Sequence, residues 1–157
     1  MGTITIPVED YELLNDRYRM SKERSMLSYV NSLNMVVLFC KKFRQVAIHM
    51  NDTSAKRYLS IINNFYFDDK GRIKWAIIQQ VLPPDVESFF NNEYPMLSER
   101  EIRLCCLMAF DLPANDITGI LAYSNQGSVH TITNRIKSKI GVKNVRESFK
   151  NLLLNSF

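Results

Sequence analysis

Between Gln126 and Ile140 the sequence QGSVHTITNRIKSKI carries two chemistries on one helical period. Val129, Ile132, Ile136 and Ile140 recur at spacings of three and four and make a single apolar stripe. Gln126, His130, Thr131, Asn134, Lys137 and Ser138 fall on the other side. Amides, hydroxyls, an imidazole and an ammonium group donate and accept hydrogen bonds in several geometries, and no acid stands among them. That inventory suits base edges and phosphates, and the major groove of DNA is wide enough to admit a helix bearing it. The same residue types also make an ordinary solvated face, so the pattern needs support from the elements around it.

Those elements are legible. Leu112 to Val142 reads as a short helix, a tight polar turn and a second helix. Pro113 stands in the first turn of the short helix, whose Ile117, Ile120 and Leu121 face inward. Gly119 costs that helix about 1 kcal/mol against Ala, and close approach of a crossing helix is the expected reason for it. Ser124 or Asn125 caps the second helix, and Gly141 ends it. Upstream, Ser98 with Glu101 forms a capping box. The helix it opens, through Phe110, is apolar nearly all round and is expected to lie sandwiched between layers. Asn144 and Glu147 mark the start of a last helix with apolar Val145, Phe149, Leu152 and Leu153.

The first half is also helical. Met1–Pro7 alternates weakly (Ile4, Ile6) and reads as an extended arm. From Val8 to about Met50 there is no Gly or Pro, which predicts one or two long helices. Met26, Tyr29, Leu33, Val36, Cys40, Phe43, Ala47 and Met50 follow a three–four spacing suited to a helical bundle or to self-association. Asp52-Thr53-Ser54 caps a second helix over 54–64, expected to bury Tyr58, Leu59, Ile61 and Ile62. Asp69-Lys70-Gly71 is a turn, joining either a small hairpin or simply two helices, and Trp75 begins another helix through Leu82. Pro83-Pro84-Asp85 punctuates the chain before a short helix with Val86, Phe89 and Phe90.

Composition narrows the function classes. The 157 residues carry a net charge of +4, but unevenly. Arg135, Lys137, Lys139, Lys143, Arg146 and Lys150 face the single acid Glu147 across the span 126–150, whereas the chain before Ser98 is nearly balanced. A basic segment on a near-neutral body points to a polyanion. Cys40, Cys105 and Cys106 are odd in number and lack zinc-ligand spacing, so they read as reduced, buried thiols of a cytoplasmic protein. The longest apolar run, Met35 to Cys40, is too short to span a bilayer, and no membrane contact is expected of this chain. His49 and His130, the two histidines, stand in no nucleophile or metal constellation, and no Gly-rich loop cradles a phosphate. We therefore expect no catalytic residues, no metal and no cofactor.

Residues from about Leu97 to Phe157 resemble the LuxR-type (GerE-like) helix-turn-helix domain. Its opening L-[ST]-x-x-E is met by Leu97, Ser98 and Glu101. Its second block is met by Leu112, Pro113, Ile117, Thr118 and Leu121, and its [ST]-V pair by Ser128 and Val129. The closing block is met by Ile136, Lys139, Ile140, Gly141 and Val142. The turn from Ser124 to Ser128 is one residue longer than the family spacing, with Gly127 placed to absorb it. The lead-in, with Phe89-Phe90 and the Tyr94-Pro95 step, is similar to a branch of bacterial regulators. There the domain closes a larger signalling protein, behind a coiled coil and in some cases a membrane-anchored sensor.

The resemblance implies an all-α fold. A long helix or helical bundle over 1–83, for dimerisation or signalling, precedes a four-helix DNA-binding domain over 84–157. It further implies a transcription regulator that inserts helix 126–140 into the major groove of double-stranded DNA, as a homodimer, with an upstream sensor or signalling domain in the same or a longer chain. Under it, His130, Thr131 and Asn134 approach base edges, and Gln126, Ser128, Arg135, Lys137 and Lys139 contact the backbone, Arg135 having an internal bracing role as its alternative. Phe149, Leu152 and Leu153 of the last helix, or the long N-terminal helix, make the dimer. The competing expectation is a protein-interaction module on the same scaffold, without DNA binding.

Overall fold

The first helix, α1, runs unbroken from Val8 to Ile48. Its 41 residues span about 60 Å. No Gly or Pro interrupts it, and Pro7 sits just outside its first turn, where a missing N–H costs nothing. In this computed structural model, which describes residues 2–3 and 5–156, the helix has two halves with different surroundings. From Met26 onward one face meets the rest of the chain, burying Leu33, Val37 and Cys40. Val37, rather than the expected Val36, is the fully covered residue, and Met50 lies exposed beyond the helix end. The half before residue 26 stands almost wholly in solvent. Met1 and Ile4, part of the expected alternating arm, and Phe157 lie outside the described residues.

Helix α2, Thr53–Tyr66, is capped by Asp52, whose carboxylate accepts from the Ser54 N–H at 3.3 Å. It corrects one expectation: none of its residues is fully buried, and Tyr58 and Ile61 are exposed. The helix packs mainly along α1, and a helix with one main neighbour covers only a narrow strip of its surface. Leu59 and Ile62 form the half-buried strip. Phe39 of α1 meets Tyr66 at 5.2 Å between ring centroids.

The segment after α2 combines the two alternatives. An antiparallel bridge pairs Phe67 with Ile73, and Gly71 takes φ +74° in the turn between them. The Asp68 carboxylate organises this turn, accepting from the N–H groups of Lys70 and Arg72 and from Arg72 Nε. Short helices α3 (Trp75–Val81) and α4 (Val86–Glu93) follow, separated at Pro83-Pro84. Trp75 Nε1 donates to Glu87 Oε1 at 2.6 Å and so ties the two together.

Helix α5, Glu99–Ala109, is the centre of the molecule. The expected capping box is present: Ser98 Oγ accepts from the Glu101 N–H, and the Glu101 carboxylate accepts from the Ser98 N–H at 2.8 Å. Every residue from Leu104 to Ala109 is buried, because α4, α6 (Ala114–Leu121) and α8 (Val145–Ser156) pack around it. Phe90 and Phe149 meet edge to face at 4.6 Å, and Tyr29 of α1 meets Phe110 at 6.0 Å. A continuous hydrophobic core therefore runs from Leu33 and Val37 through α3–α5 to Leu153, crossing the boundary expected at residue 83. The described residues form eight helices, α7 being Gln126–Ile140, and contain no strand beyond the isolated bridge. The fold is all-α. Among the described residues no helix is long and apolar enough to cross a membrane.

Candidate nucleic-acid interface

Helix α7 begins at Asn125, whose side-chain oxygen accepts from the Ser128 N–H at 2.9 Å. Of the two residues expected to cap it, Asn125 does so. Gly127 leaves room for that cap, since a Cβ there would stand 3.0 Å from Asn125 Oδ1. Gly141 ends the helix at φ +72°, with its N–H on the Lys137 carbonyl. Val129 and Ile136 are buried, and Ile132 and Ile140 pack half-buried on the core. The predicted stripe thus holds α7 to the body.

Opposite it, Gln126, His130, Thr131, Asn134 and Ser138 are exposed. The Thr131 hydroxyl donates to the Gly127 carbonyl at 3.0 Å, and Ser138 to that of Asn134 at 3.3 Å. Thr131 therefore presents its methyl group and oxygen lone pairs outward, its proton being engaged. The amide of Asn134 and the imidazole of His130 have no side-chain partner among the described residues and are free to bond a ligand. Arg135 and Lys137 stand about 160° apart round the helix, one on each flank of this face. Neither pairs with an acid among the described residues. Ser128 is half-buried beside Asn125 at the helix start.

Lys139 is placed differently from the expectation. Its Nζ donates to both Glu101 carboxylate oxygens, at 2.8 and 3.0 Å, instead of facing outward. Seven residues after Ile132, it lies on the edge of the buried stripe, within reach of α5. Burial pushes the Glu101 carboxyl up, but hydrogen bonds from Lys139 and Ser98 outweigh it and hold the group below the usual carboxylate range. The remaining basic segment divides in the same way. Arg146 donates to the Met108 and Leu112 carbonyls at 3.1 and 2.9 Å, closing the α5–α6 turn. Lys150 pairs with Asp111 at 2.6 Å. Arg135, Lys137 and Lys143 stay unpaired among the described residues.

The turn between α6 and α7 is braced by a residue the sequence did not single out. Arg100 of α5 donates to the Leu121 carbonyl at 2.7 Å and to that of Ala122 at 3.3 Å, with its guanidinium 4.3 Å from the Tyr123 ring centroid. No local spacing announces such a contact, which closes across 21 residues of chain. Lys41 pairs with Asp116 and so ties α1 to α6. Gly119 corrects another expectation. It is exposed, and a Cβ at that position would meet nothing within 4 Å, so no crossing helix demands it.

The expected dimer residues of α8 also sit differently. Phe149 and Leu153 are buried in the core of a single chain, and Leu152 is half-buried against it. Rings of Phe90 and Tyr94 already enclose Phe149, which leaves it no surface for a second copy. Among the described residues no three His, Cys, Asp or Glu side chains gather as a metal ion would require. Compared with protein-family models, curated proteins and solved structures, the chain matches none.

Proposed function

We propose that this chain is a sequence-specific transcription regulator of LuxR type that places α7 in the major groove of double-stranded DNA and acts as a homodimer in the cytoplasm. The observation that carries this reading is the outer face of α7. His130, Thr131 and Asn134 are exposed, acid-free and flanked by the unpaired cations Arg135 and Lys137. A helix about 10 Å across fills a groove about 12 Å wide, so cations on its two flanks reach the phosphates of the two strands. Asn134 has the two-point geometry that pairs with adenine, and the Thr131 methyl suits that of thymine. His130 donates or accepts at a base edge or phosphate, while Gln126 and Ser128 at the helix N-terminus approach the backbone.

Footprinting of the purified chain across a genome, followed by titration on the recovered duplexes, tests this directly. Asn134→Ala combined with Lys137→Ala is expected to remove most of the binding. Unchanged affinity in that double variant would overturn the assignment of α7. A second reading, a protein-docking module, draws on a separate observation: Tyr58, Ile61 and Phe65 of α2 are exposed apolar side chains. Retention of heterologous protein with no retention of any duplex at low salt would favour it.

A further inference from the structure

Gly119 stands in the interior of α6, where glycine weakens a helix, and no packing contact requires it. It lines a cleft of about 140 Å³ between α1, the turn over 67–73 and α6. Buried Val37, Cys40 and Phe67 give the cleft its apolar lining. Its polar lining is mostly cationic. Lys41 and Arg44 come from α1, Arg72 from the turn, and Asn115 and Asp116 from α6. Lys41 pairs with Asp116, so those two charges cancel in place. Arg72 Nε donates to Asp68 Oδ2 at 2.8 Å, which leaves its Nη groups without a hydrogen bond among the described residues. Arg44 has neither an acid partner nor a hydrogen bond there, so one positive charge is in excess. Its guanidinium is held all the same. It lies 4.1 Å from the centroid of the Phe67 ring, with Nη2 3.2 Å from where a Cβ on Gly71 would stand. Asn115 precedes Gly119 by one turn on the same face of α6, and its amide is likewise unbonded among the described residues.

We propose that this cleft binds phosphate, as the free ion or as the head of a phosphomonoester. A guanidinium matches phosphate oxygens with two-point, charge-assisted hydrogen bonds and keeps its charge throughout the physiological range. Unspent donors line the cleft from three elements: Arg44 on α1, Arg72 on the turn and Asn115 on α6. A tetrahedral ion offers oxygens in as many directions, whereas a flat carboxylate has only two. The Phe67 ring beneath Arg44 positions the guanidinium beforehand, so less side-chain freedom is lost on binding. Gly119 keeps the wall of the cleft low, because a side chain there would project into the space the ion takes. An occupied cleft bridges α1 to α6, beside the link already made by Lys41 and Asp116. The site stands on these residues alone and its test contains no DNA, so it and the DNA-binding reading can fail separately.

The test is a titration of the isotope-labelled full chain with sodium phosphate at constant ionic strength, read by NMR at the Gly71 and Gly119 amides. Both signals are expected to shift and saturate together, with a Kd in the millimolar range or below. Arg44→Gln is expected to weaken binding about tenfold or more, the effect of losing a charge-assisted pair. Gly119→Leu, read at Gly71, is expected to weaken it similarly by filling the cleft, while α6 persists because leucine favours a helix. Lys143→Gln removes a cation outside the cleft and is expected to leave the Kd unchanged. Glycerol phosphate serves as a second titrant. Tighter binding of it identifies the ester as the ligand, and equal or weaker binding identifies the free ion. Shifts that stay linear with both titrants would overturn the site. So would wild-type affinity in Arg44→Gln, or a loss in Lys143→Gln as large as that in Arg44→Gln.

Discussion

Lys139 Nζ bridges both carboxylate oxygens of Glu101, joining the last turn of α7 to the first turn of α5. The pair ties α7 to α5 beside its packing on α6 and α8, and it removes one cation from the groove-facing set. Lys139→Met is expected to destabilise the fold by about 1–2 kcal/mol, since the carboxylate loses its partner while the capping box persists. It should leave the salt dependence of DNA binding unchanged. Urea unfolding followed by fluorescence of Trp75, the one tryptophan, measures the first. Titration at several salt concentrations measures the second.

Three unpaired cations, Arg135, Lys137 and Lys143, then set the electrostatic part of binding. If each neutralises one phosphate, log K falls against log salt with a slope of about −2.7 per chain. Arg135→Ala is expected to make that slope shallower by about 0.9 while preserving the preferred sequence. A shift in sequence preference without a change of slope would place Arg135 at a base edge instead.

Glu101 also makes stability depend on pH. Its carboxyl titrates below its ordinary 4.5 in the folded chain, so on acidification the unfolded chain takes up this proton first. The contribution is fully present above about 4.5 and is lost as pH falls through the lower, folded value. Wild type and Glu101→Gln are expected to differ in urea midpoint at pH 7 and to converge as pH falls through the lower, folded-state value; Asp68, which is also lowered, is common to both and cancels. A difference that stays constant between these pH values would contradict the assignment.

Two substitutions near the turn are expected to stabilise the protein. Ala122 adopts φ +57° and ψ +43°, a left-handed conformation that costs a residue with a Cβ about 1 kcal/mol. Gly119, in the interior of α6, has open space where a Cβ would stand. Ala122→Gly and Gly119→Ala should each raise stability by roughly 0.5–1 kcal/mol, read as an upward shift of the thermal midpoint.

The thiols are expected to be inert in the folded chain. Cys40, Cys105 and Cys106 are free and buried, and burial pushes all three thiols up, furthest for the pair in α5. A thiol reagent should modify Cys105 and Cys106 only at the rate of unfolding, and completely in denaturant. Rapid modification of either in the native chain would mean that α5 opens locally.

The sequence alone determined what depends on periodicity and local backbone chemistry. The buried stripe of α7, the capping box at Ser98 and Glu101, a cap at Ser124 or Asn125 and the Gly141 stop were legible because each is set within one or two helical turns. The absence of Gly and Pro made one or two long helices readable from Val8 to about Met50, and the structure makes them one, Val8–Ile48. Lys139 was partly legible as well: its seven-residue spacing from Ile132 puts it on the buried edge, although the spacing does not name Glu101 as partner.

Only the tertiary structure decided which of several similar residues do which work. Lys139, Arg146 and Lys150 look like Arg135, Lys137 and Lys143 in a charge count. They differ because Glu101, the Met108 and Leu112 carbonyls and Asp111 lie within reach of the first three. The same holds for burial. Tyr58 and Ile61 remain exposed because α2 packs mainly on α1 alone among the described helices, and Phe149 is enclosed because α4 and α5 converge on α8. A side chain's type fixes what it can bond, but its neighbours across the fold fix what remains unbonded and available to a partner.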